Sequence, residues 1–141
     1  MKNYIISVDQ STSATKAVLF NDRCELIYRS TISHEQYYPA PGWVEHDAEE
    51  IYANTLRAVR EVVESGKIEP DATCSLAITN QRETAVVWNK ETGKPIYNAV
   101  VWQGERGTDM CADLVNRGYT DIIKKKRGLV VDPYCSASGM K

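Results

Sequence analysis

Near the start of the sequence an acid and a run of small hydroxyl side chains stand between two apolar, strand-like stretches: Ser7-Val8-Asp9-Gln10-Ser11-Thr12-Ser13-Ala14-Thr15-Lys16-Ala17-Val18-Leu19-Phe20. Side chains this short let backbone N–H groups approach an anion closely, so the turn suits a phosphate. Asp9 falls where a strand end meets solvent. There it can order Mg²⁺ through the ion's waters, since Mg²⁺ keeps several waters and takes few carboxylates. Lys16 adds a mobile point charge for phosphate oxygens. A plain polar hairpin turn is the other use of the same residues. A second chemical group, Gln81-Arg82-Glu83, follows the apolar run Cys74 to Ile78. It emerges at a carboxyl edge, where open α/β sheets bind ligands. An adjacent Arg and Glu can donate to and accept from neighbouring hydroxyls, both of which a polyol needs. A surface ion pair of little worth is the alternative.

Elements must hold these groups in place. Tyr4 to Val8, Thr15 to Phe20 and Glu25 to Thr31 read as three consecutive strands, with Asn21-Asp22 as turn chemistry between the second and third. The segment Tyr37 to His46 holds two prolines and a glycine, so it is an ordered loop whose aromatics need cover. Asp47 with Glu50 gives a helix start signal, and the helix runs to about Glu64, ended by Ser65-Gly66. Its apolar face comprises Ala48, Ile51, Tyr52, Thr55, Val59, Val62 and Val63. Cys74 to Ile78 reads as a buried parallel strand reached by a crossover. Thr84 to Trp88 and Ile96 to Trp102 form a hairpin-like pair around a turn-rich insert, and helical periodicity returns at Met110 to Val115 and Ile122 to Ile123. This order predicts a layered α/β fold, a mixed sheet with flanking helices.

The totals exclude several partners. Seventeen basic and 19 acidic residues are interspersed, so no basic face advertises nucleic acid or an anionic membrane. Lys124-Lys125-Lys126-Arg127 before Gly128 reads as cations at a helix C-terminus. Cys24, Cys74, Cys111 and Cys135 are scattered singly in or beside apolar stretches, which predicts buried thiols rather than disulfides. The absence of a signal pattern or a membrane-spanning run makes the cytoplasm the expected location. His34 and His46 match no metal-ligand spacing.

Five motifs occur in a fixed order: the Asp9 loop, Pro39-Ala40-Pro41-Gly42-Trp43-Val44-Glu45-His46-Asp47, Ile78 to Thr84, Trp88 to Trp102 around Gly93-Lys94-Pro95, and Gly128 to Tyr134. Together they resemble the FGGY carbohydrate kinase family along essentially the whole chain. The resemblance implies a ribonuclease H-like, actin-type ATPase fold, with residues 1–141 as an incomplete N-terminal domain lacking the C-terminal ATPase domain. It implies ATP and Mg²⁺ as cofactors and a polyol as substrate, glycerol foremost, with the general base outside this chain and the fragment alone inactive. By the same resemblance Asp9 orients Mg²⁺ through water. Ser11, Thr12 and Ser13 hold phosphates, and Lys16 supports the transferred group. Arg82 and Glu83 take the substrate hydroxyls, Trp102 packs on its carbon face and Tyr134 bonds near the reacting end. Trp43 and Trp88 are expected to be core or loop-covering aromatics.

Departures narrow the resemblance. Family members acting on glycerol commonly have glycine where Ser11 stands, arginine where Lys16 stands, and a cysteine and paired arginines around Gly104-Glu105-Arg106. Gly139 replaces a customary lysine. Another FGGY kinase acting on a pentulose or longer polyol is the rival within the family. A ribonuclease H-type nuclease and a non-catalytic actin-like module are rivals outside it, and homo-oligomer formation is left open.

Overall fold

A computed structural model describes residues 3–140; the side chains of Pro70 and Cys74 lie outside the described set. In chain order the elements are β1 (Tyr4–Gln10), β2 (Ala14–Asn21), β3 (Leu26–Ser33), β4 (Glu45–His46), α1 (Ala48–Gly66), a 3₁₀ turn (Pro70–Ala72), β5 (Thr73–Thr79), β6 (Ala99–Val100), α2 (Thr108–Asn116), α3 (Thr120–Arg127) and α4 (Ser136–Gly139). They divide into two compact units, Met1–Glu35 with Ala48–Gln81, and Gln36–Asp47 with Arg82–Lys141.

The first unit is a four-stranded mixed sheet of order β3-β2-β1-β5 covered by α1. The meander forms as its alternation demands, and β5 joins β1 in parallel after the α1 crossover. Alternate residues of β1 and β2 (Ile6, Val8, Ala17, Leu19) meet Ala58 and Val62 of α1 in the core. Each large side chain among these contributes about 1.5–3 kcal/mol by leaving water.

Two expectations change here. Tyr52 is 66% exposed, and the helix buries Ala58 instead, because the inward stripe follows Ile51, Thr55, Ala58 and Val62. The strand at 73–79 is parallel but not buried: Leu76 and Ile78 are 48% and 62% exposed. Register places them opposite Ile6 and Val8, hence on the α1 side of the sheet, but α1 packs on β2 and β3 while β5 is the edge.

The helix end differs in its physics from the expected glycine stop. Lys67 takes the left-handed conformation (φ 51°), and the Ile68 N–H reaches back to Val63 O. Gly66 serves packing, since a Cβ there would lie 2.4 Å from Leu19 Cδ2. Gly66→Ala should therefore lower stability by about 1–3 kcal/mol through overpacking, despite alanine's better helix propensity. Chemical denaturation would show this as a lowered midpoint at constant slope.

The second unit is built on short pairings. β4 pairs antiparallel with β6, Tyr37 bridges Glu45, Ala85 bridges Val100, and Trp88 bridges Pro95. The expected hairpin of 84–88 with 96–102 does pair, but without a regular ladder. Asn89 Oδ1 captures the N–H groups of Glu91 and Thr92, and Pro95 has no N–H to give. α3 ends on Gly128 in the left-handed region (φ 73°), with its four cations in the last turn as expected. Trp88 is 60% exposed, which removes the core half of its expected role as a core or loop-covering aromatic, whereas Trp43 is covered by the Arg106 guanidinium 4.1 Å above its ring.

The cysteine expectation holds in part. Cys111 is buried, Cys135 is half-buried, and all three described cysteines are free thiols. Cys24 is exposed, because it occupies a left-handed turn position (φ 60°) whose geometry Asn21 Oδ1 sets by accepting from Arg23 and Glu25. The side chain of Cys74 is outside the described residues.

Candidate active site

The Asp9 loop closes the β1–β2 hairpin. Asp9 and Lys16 are direct cross-strand partners, and Nζ stands 3.6 Å from Oδ2 with both side chains nearly half exposed. A pair so solvated contributes about 0–1 kcal/mol, so either group can leave the other for a ligand at little cost. Between them the loop is held from behind. Ser11 N–H and Oγ both donate to Ala14 O, the His34 N–H donates to Ser13 O, and the Ser11 carbonyl lies 3.1 Å from His34 Nε2 and 3.5 Å from Gln81 Nε2. A trans peptide points its C=O and N–H in opposite directions. Fixing the Ser11 carbonyl on the His34 side therefore turns the Thr12 N–H to the other side, as an anion-binding turn requires. Gln10 anchors the strand end, accepting from Thr15 Oγ1 at 2.8 Å and donating to Thr55 Oγ1 of α1.

His34 and Gln10 carry this geometry and escaped the sequence reading. His34 looked like a lone histidine in an irregular region, and only the fold shows that it is buried behind the loop.

Among the described residues no three potential metal ligands come together. A solitary half-exposed carboxylate at a strand end suits Mg²⁺ held mainly by water and phosphate oxygens, and does not suit an ion that demands a protein cage.

The four expected alcohol-binding residues lie in the second unit. Arg82 is exposed and Glu83 half-buried, together forming the turn after β5. Trp102 and Tyr134 meet edge-to-face, their ring centroids 5.7 Å apart at 71°, and Trp102 N–H donates to Thr84 Oγ1 at 3.4 Å. Glu83 is tied to the segment carrying Tyr134 through Ser136, whose N–H donates to Glu83 Oε2 at 2.9 Å. The structure therefore brings Glu83, Trp102 and Tyr134 into one connected cluster, with partly exposed aromatic faces beside a carboxylate. That combination accepts hydroxyl hydrogens and covers C–H groups. The Asp9 loop belongs to the other unit.

The second unit also holds a buried carboxylate. Glu45 is 2% exposed and accepts from Arg106 (2.7 Å), Tyr97 (2.8 Å) and Asn98 (3.0 Å). Burial pushes its carboxyl up, but the donors from Arg106, Asn98 and Tyr97 outweigh it and hold the group below the usual carboxylate range. A carboxyl depressed in the folded state stabilises above its ordinary pKa and loses that contribution as pH falls through the folded one. All three tryptophans lie in this unit, so their fluorescence should report its acid unfolding, and Glu45→Gln should flatten the acid dependence. Glu45 sat unflagged within the proline-rich loop, since its partners lie more than fifty residues away in sequence.

A mixed sheet of order β3-β2-β1-β5, opening on an antiparallel hairpin and joined in parallel after a helix, is the start of the ribonuclease H-like, actin-type ATPase fold. Residues 4–141 match the FGGY family of carbohydrate kinases, N-terminal domain, and the chain belongs to that family. Over 138 residues it is 54% identical to glycerol kinase 1 of Thermotoga maritima, covering 98% of this chain and 28% of the relative. Over 141 residues it is 44% identical to the glycerol kinase of Geobacillus sp. strain WCH70, covering all of this chain and 28% of that one. Among solved structures, Plasmodium falciparum glycerol kinase with ADP superposes with a TM-score of 0.87 at 35% identity, over 97% of this chain and 28% of the other. Gluconate kinase from Lactobacillus acidophilus shares the fold, with a TM-score of 0.86 at 20% identity over 95% of this chain and 26% of the other. The chain thus spans a little over a quarter of the length of these relatives. No helix among the described residues is long and apolar enough to cross a membrane.

Proposed function

We propose that this chain supplies the phosphate loop and the alcohol-binding cluster of an ATP-dependent glycerol kinase. The acceptor hydroxyl oxygen attacks the γ-phosphorus, the bond from that phosphorus to the β,γ-bridging oxygen breaks, ADP departs and the hydroxyl proton passes to a base. Asp9 orders Mg²⁺ through water, and the amides and hydroxyls of Ser11, Thr12 and Ser13 meet the phosphate oxygens. Lys16 leaves Asp9 to follow the migrating charge. Arg82 and Glu83 take the hydroxyls of the acceptor, Trp102 covers its carbon face, and Tyr134 bonds near the attacking oxygen. None of these residues is assigned the general base. Bound Mg²⁺ would neutralise charge on the β- and γ-oxygens.

The observation that carries this reading is a gradient of likeness. Identity is 54% and 44% to the glycerol kinases above and 35% to the solved one, but 20% to gluconate and xylulose kinases of the same fold. The test is a panel of acceptors offered to the full-length gene product with MgATP. Glycerol should be preferred by kcat/KM, and a wide preference for a ketose such as xylulose would overturn the assignment.

A further inference from the structure

Glu83 is a non-glycine residue in the left-handed backbone region, with φ 61°. Such a conformation costs free energy and persists only where the surroundings impose it. Its hydrogen bonds to carboxylate and carbonyl come from one residue, Ser136, at the start of the four-residue α4. The Ser136 N–H donates to Glu83 Oε2 at 2.9 Å, and Ser136 Oγ stands 2.8 Å from the same oxygen and 3.1 Å from the Glu83 carbonyl. One residue thus grips both ends of Glu83, its main-chain carbonyl and its carboxylate.

We propose that Ser136 is a positioning residue for the alcohol acceptor, fixing the Glu83 carboxylate in the one orientation that presents its other oxygen to a substrate hydroxyl. The inference rests on the reading of Glu83 as an acceptor-binding group. The Ser136 hydroxyl has a single hydrogen to share between two acceptors, whereas its N–H is committed to the carboxylate. Occupying Oε2 from one side leaves Oε1 as the oxygen with capacity to spare. The same two donors, the N–H first and the hydroxyl second, hold the Glu83 carboxyl below the usual range, with the Arg127 guanidinium assisting. The carboxylate is therefore charged and acceptor-only when an alcohol arrives.

The packing explains why a residue so far along the chain does this. Ser138 Oγ donates to Cys135 O at 2.8 Å, and a Cβ on Gly107 at the start of α2 would stand 2.9 Å from Ser138 O. This close approach seats α4 against α2. Tyr134, two residues before Ser136, meets Trp102, so one short segment places both an aromatic wall and the clamp on the carboxylate. No sequence motif announces Ser136.

The experiment uses the full-length gene product and four variants: Ser136→Ala, Ser136→Thr, Glu83→Gln and the double Ser136→Ala/Glu83→Gln. Ser136→Ala should raise KM for glycerol about tenfold, the worth of one hydrogen bond to a charged group, with KM for ATP unchanged. Ser136→Thr keeps the hydroxyl and should restore most of the loss. The double variant should be no worse than Glu83→Gln alone, because a clamp has nothing left to orient. If wild type phosphorylates glycerol and Glu83→Gln raises KM, but Ser136→Ala leaves it unchanged or adds its full effect to Glu83→Gln, the positioning role is overturned while the site reading stands. If Glu83→Gln itself leaves KM unchanged, the site reading fails and the positioning role with it. Should Ser136→Ala not fold, Ser136→Cys, which keeps a weak donor, must show an intermediate KM. A wild-type KM in Ser136→Cys contradicts the proposal.

Discussion

Arg106→Ala should be the most destabilising single substitution in the second unit, costing about 3–5 kcal/mol. The guanidinium is only 10% exposed and stands 2.7 Å from Glu45, itself 2% exposed. Truncation strands the carboxylate in the interior with only the hydroxyl of Tyr97 and the amide of Asn98, and also uncovers Trp43. Most of the loss is the penalty of a lone buried charge rather than the net worth of the pair, so removing both charges should recover much of it. Glu45→Gln/Arg106→Met is then expected to be more stable than Arg106→Ala. Against a total of about 5–15 kcal/mol for a typical domain, a loss of this size moves the thermal midpoint by well over about 10 °C. Tryptophan fluorescence during heating measures it, and a shift of only a degree or two would mean that Glu45 has found water or another cation.

The second large effect is on chemistry. Asp9→Asn in the full-length gene product should lower kcat about 10²–10³-fold, the usual loss when one preorganised electrostatic group is removed from a charge-building step. It should leave stability almost untouched, because the pair it breaks with Lys16 is half-exposed and contributes about 0–1 kcal/mol. Asparagine preserves volume and strand pairing but cannot order the waters of a divalent ion as a carboxylate does. Steady-state kinetics with saturating glycerol separates the outcomes. A kcat within about threefold of wild type would remove Asp9 from the phosphoryl-transfer machinery.

The contrast between these two carboxylates shows what the sequence could disclose. The place of Asp9 was legible because it is set locally: strand, acid and small hydroxyls follow one another, and the two flanking strand patterns put them at a hairpin end. The β1–β2–β3 meander and α1 were legible for the same reason, since periods of 2 and 3.6 are written in consecutive residues. Glu45, His34 and Ser136 were not. Each acts through a partner distant in sequence: Glu45 with Arg106, His34 with Ser11, Ser136 with Glu83. Only the fold supplies those encounters. The misplaced burial of β5 has a related cause. An apolar run signals that a strand wants cover, but whether a helix reaches it depends on where α1 crosses the sheet. The short helix α4 has too few residues to show any period at all.

The central claim is that the Asp9 loop grips the terminal phosphates of a nucleotide while Arg82 and Glu83 hold an alcohol ready for attack. The most direct measurement is a crystal structure of the full-length gene product with a non-hydrolysable magnesium nucleotide and glycerol. The account predicts the β- and γ-phosphates against Thr12 and Ser13, the ion's waters on Asp9, and a glycerol hydroxyl on the Glu83 oxygen that Ser136 leaves open. Phosphates bound away from this loop, or glycerol bound without contact to Arg82 and Glu83, would contradict it.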